Sequence, residues 1–266
     1  MMQTAVLLCP DREVLAARAL DLLVDGLRAG IKRHGVAHLA LTGGSSASAL
    51  FELLANDARA QRVDWPRVHV WQGDERSVPL SHPDRNWATA LREWLAADGA
   101  PAIPESQLHP IPCDAAIDAG HDVSWAAARY AEELEGTLPA RGGVPAFDVV
   151  LLGVGGDGHI LSTFPGTPAV NETRVPALAV AAPTHVEPNL PRVTIAPYLL
   201  QAAGSVVVMV PGAAKAGIIA ECFGAYRDPD RWPAQLALRP NAVWLLEPGS
   251  AAELTGPAGR ASRRGR

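Results

Sequence analysis

The run Gly153-Val154-Gly155-Gly156-Asp157-Gly158-His159 follows the apolar stretch Phe147–Leu152 and places an acid two residues before a histidine. A carboxylate at that spacing on a tight turn can fix the tautomer and orientation of an imidazole acting as general base. A turn aspartate beside a surface histidine is the plain alternative. The glycines weigh against it, because they let backbone amides approach a ligand closely. Gly153, Gly155 and Gly158 also fit G-x-G-x-x-G, which marks a dinucleotide site when it opens a long helix in the first βα unit. Here Pro165, Gly166 and Pro168 interrupt the chain soon afterwards, and the run lies past residue 150. A dinucleotide is therefore not expected.

Three further segments carry chemistry. Gly43-Gly44-Ser45-Ser46 lies between an apolar run and a helical pattern, where glycines, hydroxyls and helix N-terminal amides can face a phosphate. A serine nucleophile elbow would need glycine where Ala47 stands, and a plain βα turn capped by serine is the bland alternative. Gly73-Asp74-Glu75-Arg76 puts two carboxylates and a guanidinium at the end of another apolar run, either a solvated turn with a local ion pair or a site for a sugar and an anion. Pro211-Gly212-Ala213-Ala214-Lys215 sets a lysine in a first helical turn, where it opposes the helix dipole unless an anion sits there. Arg192 is a second candidate clamp, with a surface arginine as its alternative. The eight histidines are scattered and show no H-E-x-x-H, so no metal is indicated.

The elements that must hold these segments alternate in type. Thr4–Cys9, Ala37–Leu41, Val68–Trp71, Phe147–Leu152, Ala177–Ala181, Ser205–Val210 and Ala242–Leu246 read as strands. Between them run a helix from about Asp11, with Leu15, Ala19, Leu23, Leu27 and Ile31 every four residues, and helices over Ala47–Ala55, Asn86–Ala97, His121–Leu138 and Ala213–Cys222. This alternation predicts an α/β fold, a mostly parallel sheet with helices on both faces. In such sheets the ligand lies beyond the carboxyl ends of the strands, where all four polar segments fall, so one shared site is expected. Asp98–Pro112 reads as a loop and Gly166–Pro191 as irregular chain with room for one strand.

Composition bounds the function. The 266 residues hold 23 basic and 28 acidic side chains, a formal net charge of −5, and only Lys32 and Lys215 among the basic ones are lysines. The last ten residues contain four arginines and no acid, which leaves −9 on residues 1–256. That balance argues against a general nucleic-acid binder. It divides the chain into one α/β domain over 1–256, with room for a small subdomain, and a basic tail over 257–266 expected to be disordered. Apolar runs stay far below the roughly 18–20 residues of a membrane span. No basic n-region precedes Asp11, and three widely spaced cysteines fit no disulfide framework, so a reducing cytoplasm is expected.

Taken in order, Leu41-Thr42-Gly43-Gly44-Ser45, Trp71-Gln72-Gly73-Asp74-Glu75-Arg76 with Asn86 ten residues on, Leu151 through His159 with Phe164-Pro165-Gly166, Arg192-Val193-Thr194 and Gly212 to Lys215 resemble the glucosamine-6-phosphate isomerase/6-phosphogluconolactonase family. The resemblance runs from about residue 5 to 253 and is closest to its lactonase branch. It implies a Rossmann-like fold of the sugar-phosphate isomerase/deaminase type. The implied reaction is hydrolysis of 6-phosphoglucono-δ-lactone to 6-phosphogluconate in the oxidative pentose phosphate pathway, with no cofactor. The implied partner is a small sugar-phosphate lactone, with no nucleic acid or membrane, in a monomer or weak homodimer. On this reading His159 activates water and Asp157 orients it. Gly43, Gly44, Ser45, Arg192 and Lys215 hold the phosphate, with Arg76 adding to them. Asp74 and Asn86 meet hydroxyls or shape the pocket, and amides of the Gly155-Gly156-Asp157-Gly158 loop or Arg76 serve the oxyanion.

The deaminase branch resembles D-E-Y where Asp74-Glu75-Arg76 stands and carries a glutamate where Phe164 stands. A deaminase-like isomerase or a non-catalytic sugar-phosphate binder is the alternative. Departures from the family pattern are Ser46-Ala47 in the first loop, Arg85 before Asn86, expected to add a charge near the pocket mouth, and Glu247 in place of an aspartate after the last strand.

Overall fold

The first strand of the chain, Ala5–Leu8, finds its partner in the last, Ala242–Leu246, and the two run parallel at one edge of the main sheet. The computed structural model describes residues 4–255; the basic tail 257–266 lies outside them. In chain order the elements are β1 (Ala5–Leu8), α1 (Arg12–His34), β2 (Ala37–Leu41), α2 (Ser45–Asn56), β3 (Val68–Gln72), β4 (Asp74–Arg76), α3 (Asn86–Ala90), β5 (Leu108–His109), α4 (Cys113–Asp118), α5 (Val123–Thr137), β6 (Ala140–Arg141), β7 (Val144–Pro145), β8 (Val149–Gly153), β9 (Ala177–Val180), β10 (Arg192–Ile195), β11 (Ser205–Val210), α6 (Ala216–Cys222) and β12 (Ala242–Leu246).

Seven strands form the main sheet in the order β1-β12-β11-β8-β2-β3-β5, every pairing parallel. From β2 the chain steps outward to β3 and β5. From β8 it steps the other way, to β11 and β12. The order therefore reverses between β2 and β8, and a crevice opens beyond their carboxyl ends.

Alternation along β8 fills both faces, as a sheet covered on both sides requires. Val149 and Leu151 meet Leu20, Leu23 and Leu27 of α1 and Leu50 and Phe51 of α2. Val150 and Leu152 meet Ala126, Tyr130 and Leu134 of α5. Each such large apolar side chain contributes about 1.5–3 kcal/mol on burial. Helix α1 is bounded as its sequence demands. The Asp11 carboxylate accepts the Val14 N–H at 2.8 Å, Lys32, Arg33 and His34 occupy the last turn, and Gly35 closes it.

Several elements differ from expectation. Ala177–Val180 is a strand, but in a separate antiparallel sheet of order β4-β10-β9 that packs on α5. The Asp74–Arg76 segment, expected as a loop, forms β4 of that sheet, with Arg76 opposite Arg192. The helix expected over Asn86–Ala97 is α-helical only to Ala90 and widens into a π-helical turn over Leu91–Leu95. That turn carries buried Trp94, whose ring lies 6.1 Å from Phe51 and 5.3 Å from Trp65. The stretch Ala213–Cys222 starts as a 3-10 turn through Lys215 before α6 begins.

Candidate active site

The chain segments after β2, β3, β8 and β11 meet beyond the reversal point around a cavity of about 380 Å³. Gly43, Gly44, Asp74, Arg76, Asn86, Gly155, His159, Arg192 and Lys215 all line it. Two larger hollows, of about 530 and 590 Å³, lack this convergence. One is an apolar groove beside Phe164 and the other lies between α1 and α2.

The base candidate is held by its own loop. Asp157 Oδ1 lies 2.6 Å from His159 Nδ1 and also accepts the His159 amide at 3.1 Å. With Nδ1–H donating, the lone pair of His159 sits on Nε2. Burial opposes ionisation of Asp157, but the hydrogen bonds and charge of His159, with a bond from His185, outweigh it and hold the carboxyl well below the usual carboxylate range. The loop closes on itself, Gly155 N–H bonding His159 O at 2.8 Å and Gly158 N–H bonding Gly155 O at 3.1 Å. A Cβ at Gly155 would fall inside the His159 ring, so only glycine fits there. These two amides are spent within the turn and are not oxyanion donors. Gly158 does not line the cavity; it backs onto Ile218 and Trp232, so its part is to shape the turn.

The anion side is built from opposite arms of the reversal. Gly44 caps α2 at φ 74°, a left-handed backbone that favours glycine, and no side chain caps the helix. Uncapped amides at a twelve-residue helix suit an anion. Ser45 is the first residue of α2. Lys215, from the β11 arm, has no ion-pair partner among the described residues; burial pushes its ammonium down, with the Asp157 carboxylate pulling the other way. Its turn is pinned by Gly212 N–H, which donates to Glu247 Oε2 at 2.8 Å. Arg192 lines the cavity although it is almost fully buried. Its guanidinium stacks 5.2 Å over Phe164 and donates to Pro188 O at 3.0 Å, and burial pushes its pKa down, with Asp74 opposing. The Nε atoms of both Arg192 and Arg76 are buried without a hydrogen-bond partner. Two guanidiniums on one cavity form a cationic lining that suits an anion.

Asp74, Arg76 and Asn86 form the wall between these halves. Arg76 donates to Asn86 Oδ1 and Asp84 O, each at 2.8 Å. Asp74 Oδ2 accepts Ser162 Oγ–H at 2.6 Å from a tight turn where Leu161 takes a left-handed φ of 55°. Behind the wall Glu75 is fully buried and accepts from the Asn86 and Trp87 amides at 2.9 and 2.8 Å. Burial pushes the Glu75 carboxyl up, opposed by the Arg85 charge and those amides. Arg85, expected at the pocket mouth, is instead 1% exposed. Glu75 at 3.1 Å, Asp114 at 3.0 Å and the Val78 carbonyl at 2.7 Å draw it inward, so it braces Asn86 from behind.

Some lining residues were not foreseen. Arg12 reaches the cavity from the first turn of α1, its side chain 55% exposed and its Nε 4.0 Å from Glu247. It also follows a strand end, the signal that marked the other four segments, but Asp11 drew attention as a helix cap. Val186 and Glu187 come from irregular chain with no periodicity to read. Among the described residues no helix is long and apolar enough to cross a membrane.

The fold and the site define an α/β protein with a cation-lined cavity where its strand order reverses. The model of the family described as glucosamine-6-phosphate isomerases/6-phosphogluconolactonase matches residues 10–245, and the chain belongs to that family. It is 36% identical to a 6-phosphogluconolactonase of Mycobacterium tuberculosis over 254 residues, covering 95% of this chain and 99% of that one. A Nostoc 6-phosphogluconolactonase is also 36% identical, over 257 residues, with 96% and 100% covered. The structure of 6-phosphogluconolactonase from Trypanosoma brucei superposes with a TM-score of 0.82 at 26% identity, covering 96% of this chain and 100% of that one.

Proposed function

We propose that this protein hydrolyses 6-phosphoglucono-δ-lactone to 6-phosphogluconate, with His159 as general base. The observation that carries the reading is the convergence of a carboxylate-oriented imidazole and three cations, Arg76, Arg192 and Lys215, on one cavity. The phosphate sits at the Gly43–Gly44 turn between Arg192 and Lys215, and this remote contact positions C1 of the lactone. Neutral His159 takes a proton at Nε2 from water as its oxygen attacks C1, and Asp157 stabilises the imidazolium at Nδ1. With the Gly155 and Gly158 amides engaged, Arg76 and the Gly156 and Asp157 amides of the same loop are the donors for the oxyanion. The collapsing intermediate breaks the C1–ring oxygen bond and His159 returns the proton to the leaving oxygen. Phe164, 4.7 Å from the His159 ring, has no proton to give where the deaminases of the resemblance carry glutamate, which favours the lactonase over an isomerase.

The test is a coupled assay with freshly generated 6-phosphogluconolactone, corrected for spontaneous opening. Turnover is expected on the lactone and none on glucosamine 6-phosphate; the reverse would overturn the proposal.

A further inference from the structure

Between β9 and β10 the chain runs irregularly, and His185 in its middle reaches the carboxylate that holds the base. Asp157 Oδ1 lies 2.6 Å from His159 Nδ1, and Asp157 Oδ2 lies 2.9 Å from His185 Nε2. Both rings also flank Phe164, His159 at 4.7 Å and tilted, His185 at 6.0 Å and edge-on. One carboxylate and one phenyl ring thus fix two imidazoles.

We propose that His185 is a positioning residue for the His159–Asp157 pair, holding one carboxylate oxygen so that the other stays on His159 and sharing its charge. The inference rests on the reading of His159 as base. A carboxylate shared by two imidazoles satisfies one imidazolium well, and a second proton meets a charge already used. The protonation steps then belong to the pair of rings. The other charged groups near His185 are Lys215, within reach of the Asp157 field; Glu172, on the shared apolar groove; Glu187, two residues on; and Arg192, over the Phe164 ring. Only Asp157 hydrogen-bonds the His185 ring among the described residues. The bond also tethers Val186 and Glu187, which follow it in the chain and line the substrate cavity.

His185 is 49% exposed, so His185→Gln leaves the core intact while keeping an N–H donor that takes no proton. The experiment is an NMR titration of labelled histidine nitrogens in the native protein and in His185→Gln, alongside pH profiles of lactone hydrolysis. His159 is expected to titrate in a broadened or two-step curve in the native protein. In His185→Gln a single step is expected, its midpoint about one unit higher, because the competing ring is gone. The acid limb of kcat/KM moves with it. His185→Ala is expected to lose roughly 10-fold in kcat, and glutamine to recover most of that. Superimposable His159 titrations in the two proteins would overturn the proposal whatever their activity. Separated titrations in a protein that fails to open the lactone leave this coupling standing and remove the lactonase reading instead.

Discussion

Two groups of imidazoles lie at different depths in this molecule, and only one reaches the cavity. At the cavity, His159 shares Asp157 with His185 of the neighbouring groove. Within the sheet, His38 of β2, His69 of β3 and His109 of β5 stand side by side, and the chain of contacts ends on Glu133, 2.6 Å from His109. There Trp71 donates to His38 Nδ1 at 3.2 Å and stacks on His109 at 3.8 Å. Burial, with the neighbouring imidazoles adding to it, pushes His38 down to about 3. Both groups contain a carboxylate–imidazole bond of 2.6 Å, so that bond alone does not make a base. The difference is a ring facing a cavity lined with cations against rings packed on one another and on tryptophan.

The sharpest break of the comparison is His159→Ala, expected to lower kcat by roughly 10²–10⁴-fold with the fold intact. His109→Ala should leave kcat per folded molecule unchanged; equal losses would erase the distinction. Next in size, Arg192→Ala or Lys215→Ala should raise KM roughly 10–100-fold, each removing a charged contact to phosphate. If kcat/KM stayed the same in both, the anion subsite would be misplaced.

The interior group is probed by stability rather than rate. His38 is neutral in the native state down to about pH 3, whereas the unfolded chain takes up that proton below about 6.5. The unfolded state then binds more protons, so stability falls as pH drops through this window, by at most about 1.4 kcal/mol per unit. Urea unfolding at a series of pH values should show this slope, and His38→Gln should flatten it. Arg12→Ala is the smallest effect, about two- to threefold on KM, because the side chain is exposed and its charge screened. Loss of its salt dependence is the check.

Much of this is legible in the sequence alone. Ala37–Leu41 and Ala242–Leu246 are strands at the expected residues, because a strand buried on both faces is written as a nearly continuous apolar run, interrupted in the first only by His38. The four polar segments were placed together by one topological rule. What escaped was the second sheet. Its strands are three or four residues long, and β4 is Asp-Glu-Arg, which no hydrophobic period identifies. The pairing of β4 is decided by β10, more than a hundred residues away. The inward turn of Arg85 was unreadable for the same reason, since Asp114 lies far along the chain. Arg12 and His185 were written in the sequence but sat in segments already given another meaning.

Strand β12 lies between β1 and β11, and it is the last of the main sheet to leave the ribosome. Until it does, β1 has no strand beside it, although it was made first. The residue just after β12, Glu247, also pins the turn that presents Lys215. A nascent chain can therefore carry His159, its glycine turns and both guanidiniums, and still wait on its final strand before the turn that presents Lys215 is pinned.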